Sequence, residues 1–215
     1  FALFMAVKGR FEGKPWIEWA EDIRLRWQPA MDYYRRELYF EVEYHKYLQF
    51  KFDQQWRKLK DYANSKGIRI IGDIPIYVAL DSADAWANPG LFQLDKDNIP
   101  TAVAGVPPDG FSPTGQLWGN PLYNWPRHKA EDFAWWKRRM QHATSIYDVV
   151  RIDHFRGFDT YWAIPADSTT AKTGKWETGP RMELFNALEG ALGKLPIIAE
   201  DLGELFPSVR ELLAD

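Results

Sequence analysis

Three short apolar runs in this chain each end in an acid followed by a Gly or Pro turn, and few architectures accommodate such a repeat. They are Ile68-Arg69-Ile70-Ile71-Gly72-Asp73-Ile74-Pro75, Val149-Val150-Arg151-Ile152-Asp153-His154-Phe155-Arg156-Gly157-Phe158 and Leu195-Pro196-Ile197-Ile198-Ala199-Glu200-Asp201-Leu202-Gly203. Their β-branched content suits buried strands, and helical-looking segments separate them. Strands joined this way run parallel through crossover connections, which brings Asp73, Asp153 and Glu200 to one edge of a sheet. The expected class is therefore α/β. At the C-terminal edge of a (β/α) barrel, each strand can contribute one catalytic group. Three strands are too few to close such a barrel.

The middle run carries the most chemistry. By the two-residue period of a strand, Arg151 and Asp153 share a face, so the guanidinium favours an ionised carboxylate suited to nucleophilic attack or charge stabilisation. A structural ion pair at a strand end fits the same residues. A retaining glycosidase needs one ionised carboxylate and one protonated carboxylic acid, about 5–5.5 Å apart. Glu200 follows Ile197, Ile198 and Ala199, and an apolar wall there would favour the protonated acid. The pair Glu200-Asp201 also fits the acidic first turn of a helix.

Composition narrows the partners. With 46% hydrophobic and 27% charged residues over 215 positions, the chain can bury a full core. A net charge of −3 provides no basic footprint for nucleic acid, and Arg35-Arg36 and Lys137-Arg138-Arg139 read as solvated helix faces. The lack of Cys removes disulfide and thiolate–zinc frameworks and fits a reducing compartment, so the expected location is cytoplasmic. The opening run Phe1 to Val7 is too short to span a membrane and has no basic flank, so neither signal nor anchor is expected. Eleven Trp are unusual, because a buried indole N–H needs a partner; most are expected in the core, and sugar sites use the same flat rings.

Read in order, a helix opens the chain, breaks at Gly13-Lys14-Pro15 and resumes near Trp16 and Trp19. From Asp32 to Ser65 the helical spacing of Tyr39, Val42, Tyr47, Phe50, Trp56 and Leu59 predicts a long polar-aromatic helix or helix pair. The strand to Asp73 follows, extended on through Val78. Between Ala79 and Pro126 the pattern dissolves into Pro, Gly, Asn and Asp with aromatics. This is too long for an ordinary loop and reads as a lid or small subdomain. Asp95-Lys96-Asp97-Asn98 resembles a calcium loop but lacks the required Gly and distal Glu, which leaves a turn. Helices are expected from Lys129 to Ser145, from Arg181 to Leu192 and from Glu204 onward, with a polar loop around Trp176 between the first two. The expected division is 1–78 as a barrel segment, 79–126 as an inserted lid, and 127–215 as a barrel segment bearing Asp153 and Glu200. Trp118, set among glycines in Gly115-Gln116-Leu117-Trp118-Gly119-Asn120-Pro121-Leu122-Tyr123, suits a ring offered to a ligand rather than a core ring.

Five ordered motifs carry a resemblance. Gly72-Asp73-Ile74-Pro75-Ile76-Tyr77-Val78, Val103-Ala104-Gly105-Val106-Pro107-Pro108-Asp109, the Gly115–Tyr123 stretch, Arg151–Phe158 and Ala199–Gly203 resemble the 4-alpha-glucanotransferases of glycoside hydrolase family 77. The resemblance implies part of a (β/α)8 TIM barrel of the alpha-amylase clan, holding strands three to five with the loop subdomain after its first strand. It implies Asp153 as nucleophile, Glu200 as acid/base and Arg151 as the residue orienting the nucleophile. Asp73, Tyr77, Trp118, Asn120 and His154 are implied sugar contacts, and Asp109 a lid residue without a defined role. Maltooligosaccharides and α-1,4-glucans are the implied partners, with no metal or cofactor. The family's third acid, in a later His-Asp pair, has no counterpart after Glu200. The chain is thus expected to be an internal piece, inactive alone and prone to self-association through exposed sheet edges. A glucan hydrolase of the same clan and a non-catalytic glucan-binding piece are the alternatives.

Overall fold

The computed structural model describes residues 1–202 and 206–214. The three acid-terminated runs form one parallel sheet. Strands β1 (Ile71–Pro75), β4 (Val149–Asp153) and β7 (Ile197–Ala199) lie in the order β1-β4-β7. The registers are Asp73 opposite Arg151, Pro75 opposite Asp153, and Ile152 opposite Ala199. Asp73 therefore sits two residues below Asp153 along the sheet, not at the same level.

The two faces of this sheet differ. Ile74, Val150, Ile152, Ile197 and Ala199 join the main core, while Asp73, Arg151, Asp153 and Ile198 lie on the opposite, largely bare face. Gly72 is needed because a Cβ there would lie 2.0 Å from the ring of Tyr147, and the last residues before β4 close over β1.

The expected count of three strands is incomplete. Among the described residues four more strands form an antiparallel sheet, ordered β3-β2-β5-β6: β2 (Ala102–Val106), β3 (Gln116–Pro121), β5 (Thr160–Pro165) and β6 (Lys175–Thr178). Two of them come from the Pro- and Gly-rich stretch before residue 126, and two follow Asp153. The expected polar loop around Trp176 is in part strand β6, paired to β5 with Trp162 opposite Trp176.

Nine α-helices surround the sheets among the described residues: α1 (Ala2–Arg10), α2 (Glu21–Arg24), α3 (Gln28–Glu37), α4 (Tyr39–Ser65), α5 (Ala83–Ala87), α6 (Trp125–Ala130), α7 (Ala134–Ile146), α8 (Met182–Leu192) and α9 (Pro207–Ala214). The single helix expected from Lys129 to Ser145 is two, broken where Asp132 and Phe133 take left-handed backbone. Glu204, the expected start of the last helix, lies outside the described residues. The expected long helix or helix pair is the pair α3 and α4. In α4 no residue is fully buried: Tyr39, Tyr47, Phe50 and Leu59 are exposed, and Val42 is partly buried against the core. The C-terminal half of α4 is held by polar contacts. Trp56 Nε1 donates to the Ile146 carbonyl at 2.9 Å, and Asn64 donates to Asp148 at 2.8 Å. The Ile70 N–H also donates to Asp148, holding that carboxyl below its ordinary pKa.

Six of the Trp are core residues: Trp16, Trp19, Trp86, Trp125, Trp135 and Trp136. The indole N–H groups of Trp16, Trp19 and Trp86 donate to the carbonyls of Leu80, Lys14 and Ile23, and that of Trp135 to Asp84. Ring pairs such as Trp19 with Trp86, 5.6 Å apart, each contribute about 0.5–1.5 kcal/mol beyond area burial.

Candidate active site

Strands β4 and β7 end side by side, and this adjacency assembles the site. Asp153 is the last residue of β4, and Glu200 directly follows β7. The Glu200 N–H donates to the Ile152 carbonyl at 3.1 Å, extending the ladder by one residue. His154, next after Asp153, has left-handed backbone (φ 55°, ψ 43°). This turn aims its N–H at Glu200, and the Oε2 oxygen accepts it at 2.7 Å. The Oε1 oxygen accepts the Leu202 N–H at 3.0 Å. Backbone donors on both sides thus fix the Glu200 side chain.

Of the apolar residues expected to wall Glu200, Ile197 and Ala199 turn to the core on the other face of the sheet. Ile198, two residues earlier on the same face, is 42% exposed. The helix first-turn reading of Glu200-Asp201 also fails, because α9 begins at Pro207.

Arg151 bridges two acids. Its Nη1 lies 2.7 Å from Asp73 Oδ1 and its Nη2 lies 3.1 Å from Asp153 Oδ1. The pairing expected of Arg151 with Asp153 is thus shared with Asp73, and β-sheet register is the cause, since Asp73 faces Arg151 directly.

A cleft of about 480 Å³ opens at these strand ends, lined on one side by Asp153, His154, Arg156, Glu200 and Leu202. The other side comes from the antiparallel sheet: Val106 to Asp109, Phe111, Gln116, Trp118 and Trp176. Trp118, 37% exposed, meets the His154 ring edge-on at 4.8 Å. Burial, with Arg156 nearby, pulls the His154 imidazole down to about 4. Tyr77 is buried behind Trp118, 6.4 Å from it ring to ring, and stacks on Tyr123 at 5.8 Å. Asn120 Nδ2 donates to the Val78 carbonyl at 2.9 Å. Thus Asp153, Glu200, His154 and Trp118 line the cleft, while Asp73, Tyr77, Asn120 and Arg151 stand behind or below it.

Asp109 has a structural part that the sequence left open. Its Oδ1 accepts the N–H groups of Phe111 at 2.9 Å and Ser112 at 2.7 Å, folding the tip of the β2–β3 hairpin and leaving the Phe111 ring fully exposed. Phe111, Arg156 and Trp176 escaped the sequence reading. A turn signal, Pro107-Pro108-Asp109-Gly110 between two extended stretches, marks the hairpin that carries the first. Among the described residues no group of three or more His, Asp or Glu could hold a metal ion, and no helix is long and apolar enough to cross a membrane.

Comparison with known proteins agrees with this geometry. The profile of glycoside hydrolase family 77, described as 4-alpha-glucanotransferase, matches residues 1–215. The chain belongs to that family. Among its relatives, a 4-alpha-glucanotransferase of Clostridium butyricum is 50% identical over 212 residues, covering 98% of this chain and 44% of the relative. A chloroplastic/amyloplastic 4-alpha-glucanotransferase of Solanum tuberosum is 46% identical over 98% of this chain and 37% of its own length. The amylomaltase of Streptococcus agalactiae, solved with acarbose, superposes with a TM-score of 0.97 at 50% identity, covering all of this chain and 43% of that one. The chain thus spans less than half the length of these family 77 members, and its parallel sheet is part of the family's (β/α)8 barrel.

Proposed function

We propose that this chain carries the reacting carboxylates of a 4-alpha-glucanotransferase that moves α-1,4-glucan segments between maltooligosaccharides with retention. The observation that carries the reading is the hydrogen bond from the His154 N–H to Glu200 Oε2, which joins the backbone next to Asp153 to the Glu200 carboxylate where β4 and β7 end side by side. Asp153 attacks the anomeric carbon of the donor while Glu200 gives its proton to the departing glycosidic oxygen. The 4-hydroxyl of an acceptor sugar then loses its proton to Glu200 and displaces Asp153 from that carbon. Arg151 orients Asp153. Trp118 and His154 contact sugar rings in the cleft, and Asp73, Tyr77 and Asn120 act from the same side of the barrel. Residues 1–78 and 127–215 serve as barrel segments. The stretch 79–126 serves as the lid that keeps water from the glycosyl-enzyme, with β5 and β6 completing its sheet.

Because the relatives extend well beyond it, the chain by itself has little activity in this reading, and the open edges of β1 and β7 favour self-association. The cytoplasmic location remains the preferred reading, resting on cysteine usage alone.

The test uses the complete product of the reading frame. With maltotriose it should yield a ladder of longer glucans, and products that are only shorter would turn the reading to the hydrolase. Asp153→Asn should lower turnover by on the order of 10⁴-fold or more. Retained turnover in that variant would remove Asp153 from the role of nucleophile.

A further inference from the structure

Helix α7 reaches under the end of β1 with one side chain the proposed mechanism does not use. The Arg139 guanidinium donates through Nη2 to the Pro75 carbonyl at 2.5 Å and through Nη1 to the Ile76 carbonyl at 2.9 Å. It also reaches the Tyr123 hydroxyl at 3.3 Å, and that hydroxyl donates to the same Ile76 carbonyl at 2.7 Å. The guanidinium lies over the rings of Trp135 and Trp136, with its carbon 5.3 and 4.9 Å from their centroids. One planar cation thus holds two consecutive carbonyls just where β1 stops being a strand.

That backbone is attached to the site by two routes. The Ile76 N–H donates to the Asp153 carbonyl at 3.2 Å, and Pro75 is the register partner of Asp153. Tyr77, the next residue, backs Trp118 and rests on Tyr123. Pro75 has no N–H, so it cannot donate to the ladder there, and the carbonyl side is where the strand end can be gripped.

We propose that Arg139 is a positioning residue that fixes the end of β1, and through it both the Asp153 carboxylate and the Tyr77–Trp118 wall of the cleft. The inference rests on the reading of Asp153 as nucleophile.

An activated donor such as an α-maltosyl fluoride provides the test, in the complete enzyme. Its leaving group needs no proton, so its first step, read as release of fluoride, reports nucleophile placement apart from Glu200, which acts with this donor only as the base of the second step. Arg139→Met keeps the stem over the two indoles but removes the donors. It should lower kcat with the fluoride by about 10- to 100-fold, as expected of a small misplacement of the attacking group, with KM changed less than threefold. Arg139→Lys, a single point donor, should recover part of the loss. Tyr123→Phe, which keeps its ring stack and removes one donor to Ile76, should fall between wild type and Arg139→Met. Assays run well below each variant's melting midpoint. Should Arg139→Met fail to fold, Arg139→Lys decides: wild-type kcat in the folded Lys variant overturns the proposal, and a lowered kcat at unchanged KM supports it. Equal kcat for folded Arg139→Met and wild type also overturns it. If the wild-type enzyme transfers nothing from the fluoride, the underlying reading of Asp153 fails instead, which separates the two.

Discussion

The parallel sheet β1-β4-β7 and the antiparallel sheet β3-β2-β5-β6 border the same cleft but hold their residues by different means. In the first, Asp153, His154 and Glu200 project from strand ends, and their positions are set by register and by backbone donors, as with Glu200 between the N–H groups of His154 and Leu202. In the second, the cleft residues ride on a hairpin whose tip is folded by one side chain, Asp109, and whose strands pack closely because Gly105 has no Cβ. The first arrangement fixes charge to within the tolerance of a ladder. The second fixes shape, and it can change without moving the carboxylates.

This contrast can be broken first at the acid. Glu200→Gln in the complete enzyme should slow transfer from maltooligosaccharides by on the order of 10³-fold, the usual weight of proton transfer, while the first-step release of fluoride from a glycosyl fluoride donor should lose far less. Equal losses with both donors would mean that Glu200 acts through structure rather than as the acid. The second sheet should respond in stability rather than chemistry. At Gly105 an added Cβ would fall 2.2 Å from the Gln116 carbonyl oxygen and 2.6 Å from Ile164 Cδ1. Gly105→Val should therefore cost about 1–3 kcal/mol, seen as a lower thermal midpoint, with the fluoride still labelling Asp153 at a near-normal rate. A variant whose labelling collapses while the midpoint holds would show that the two sheets are not separable.

Smaller effects sharpen the division. Trp118→Ala removes a ring that touches His154 but neither carboxylate directly, and it should raise the ratio of hydrolysis to transfer or weaken donor affinity by roughly 1 kcal/mol. An unchanged ratio and affinity would take Trp118 out of the lid. The smallest effect concerns a buried histidine of α6. His128 is buried against Tyr123 and Trp125 and bonds to the Leu91 carbonyl through Nε2. Burial pulls its imidazole down to about 4, so the stability it confers is fully present above the unfolded value near 6.5 and is lost as pH falls toward 4. The melting midpoint should drop through that window, by roughly 1 kcal/mol of stability at pH 5.5, and His128→Gln should flatten the drop. A midpoint as pH-sensitive in His128→Gln as in wild type would assign the effect to other groups, of which His154, held low in the same way, is the first to test.

The parallel sheet was legible because burial on the helix side writes Ile, Val and Ala into each strand. Asp153 and Glu200 mark where β4 and β7 stop, whereas Asp73 lies two residues before the end of β1. The antiparallel sheet was not legible, because β2 is built of Ala, Val and Gly, which carry no period, and β6 is four residues long in a polar stretch. Helix α4 was legible as a helix from its aromatic spacing, but periodicity does not say how far a face is covered: Tyr39, Tyr47, Phe50 and Leu59 are exposed, while Val42 packs against the core and Trp56 against Tyr147. Tyr77 and Asn120 were named through the family motif, and only side-chain packing places them behind the cleft rather than in it.

His154 leads to a last consequence. Since the residue after Asp153 grips Glu200 with its own N–H, a thermal displacement of the β4 terminus carries both carboxyl groups in the same direction. Their individual excursions are therefore correlated, and the gap between them varies less than it would if the two groups moved independently.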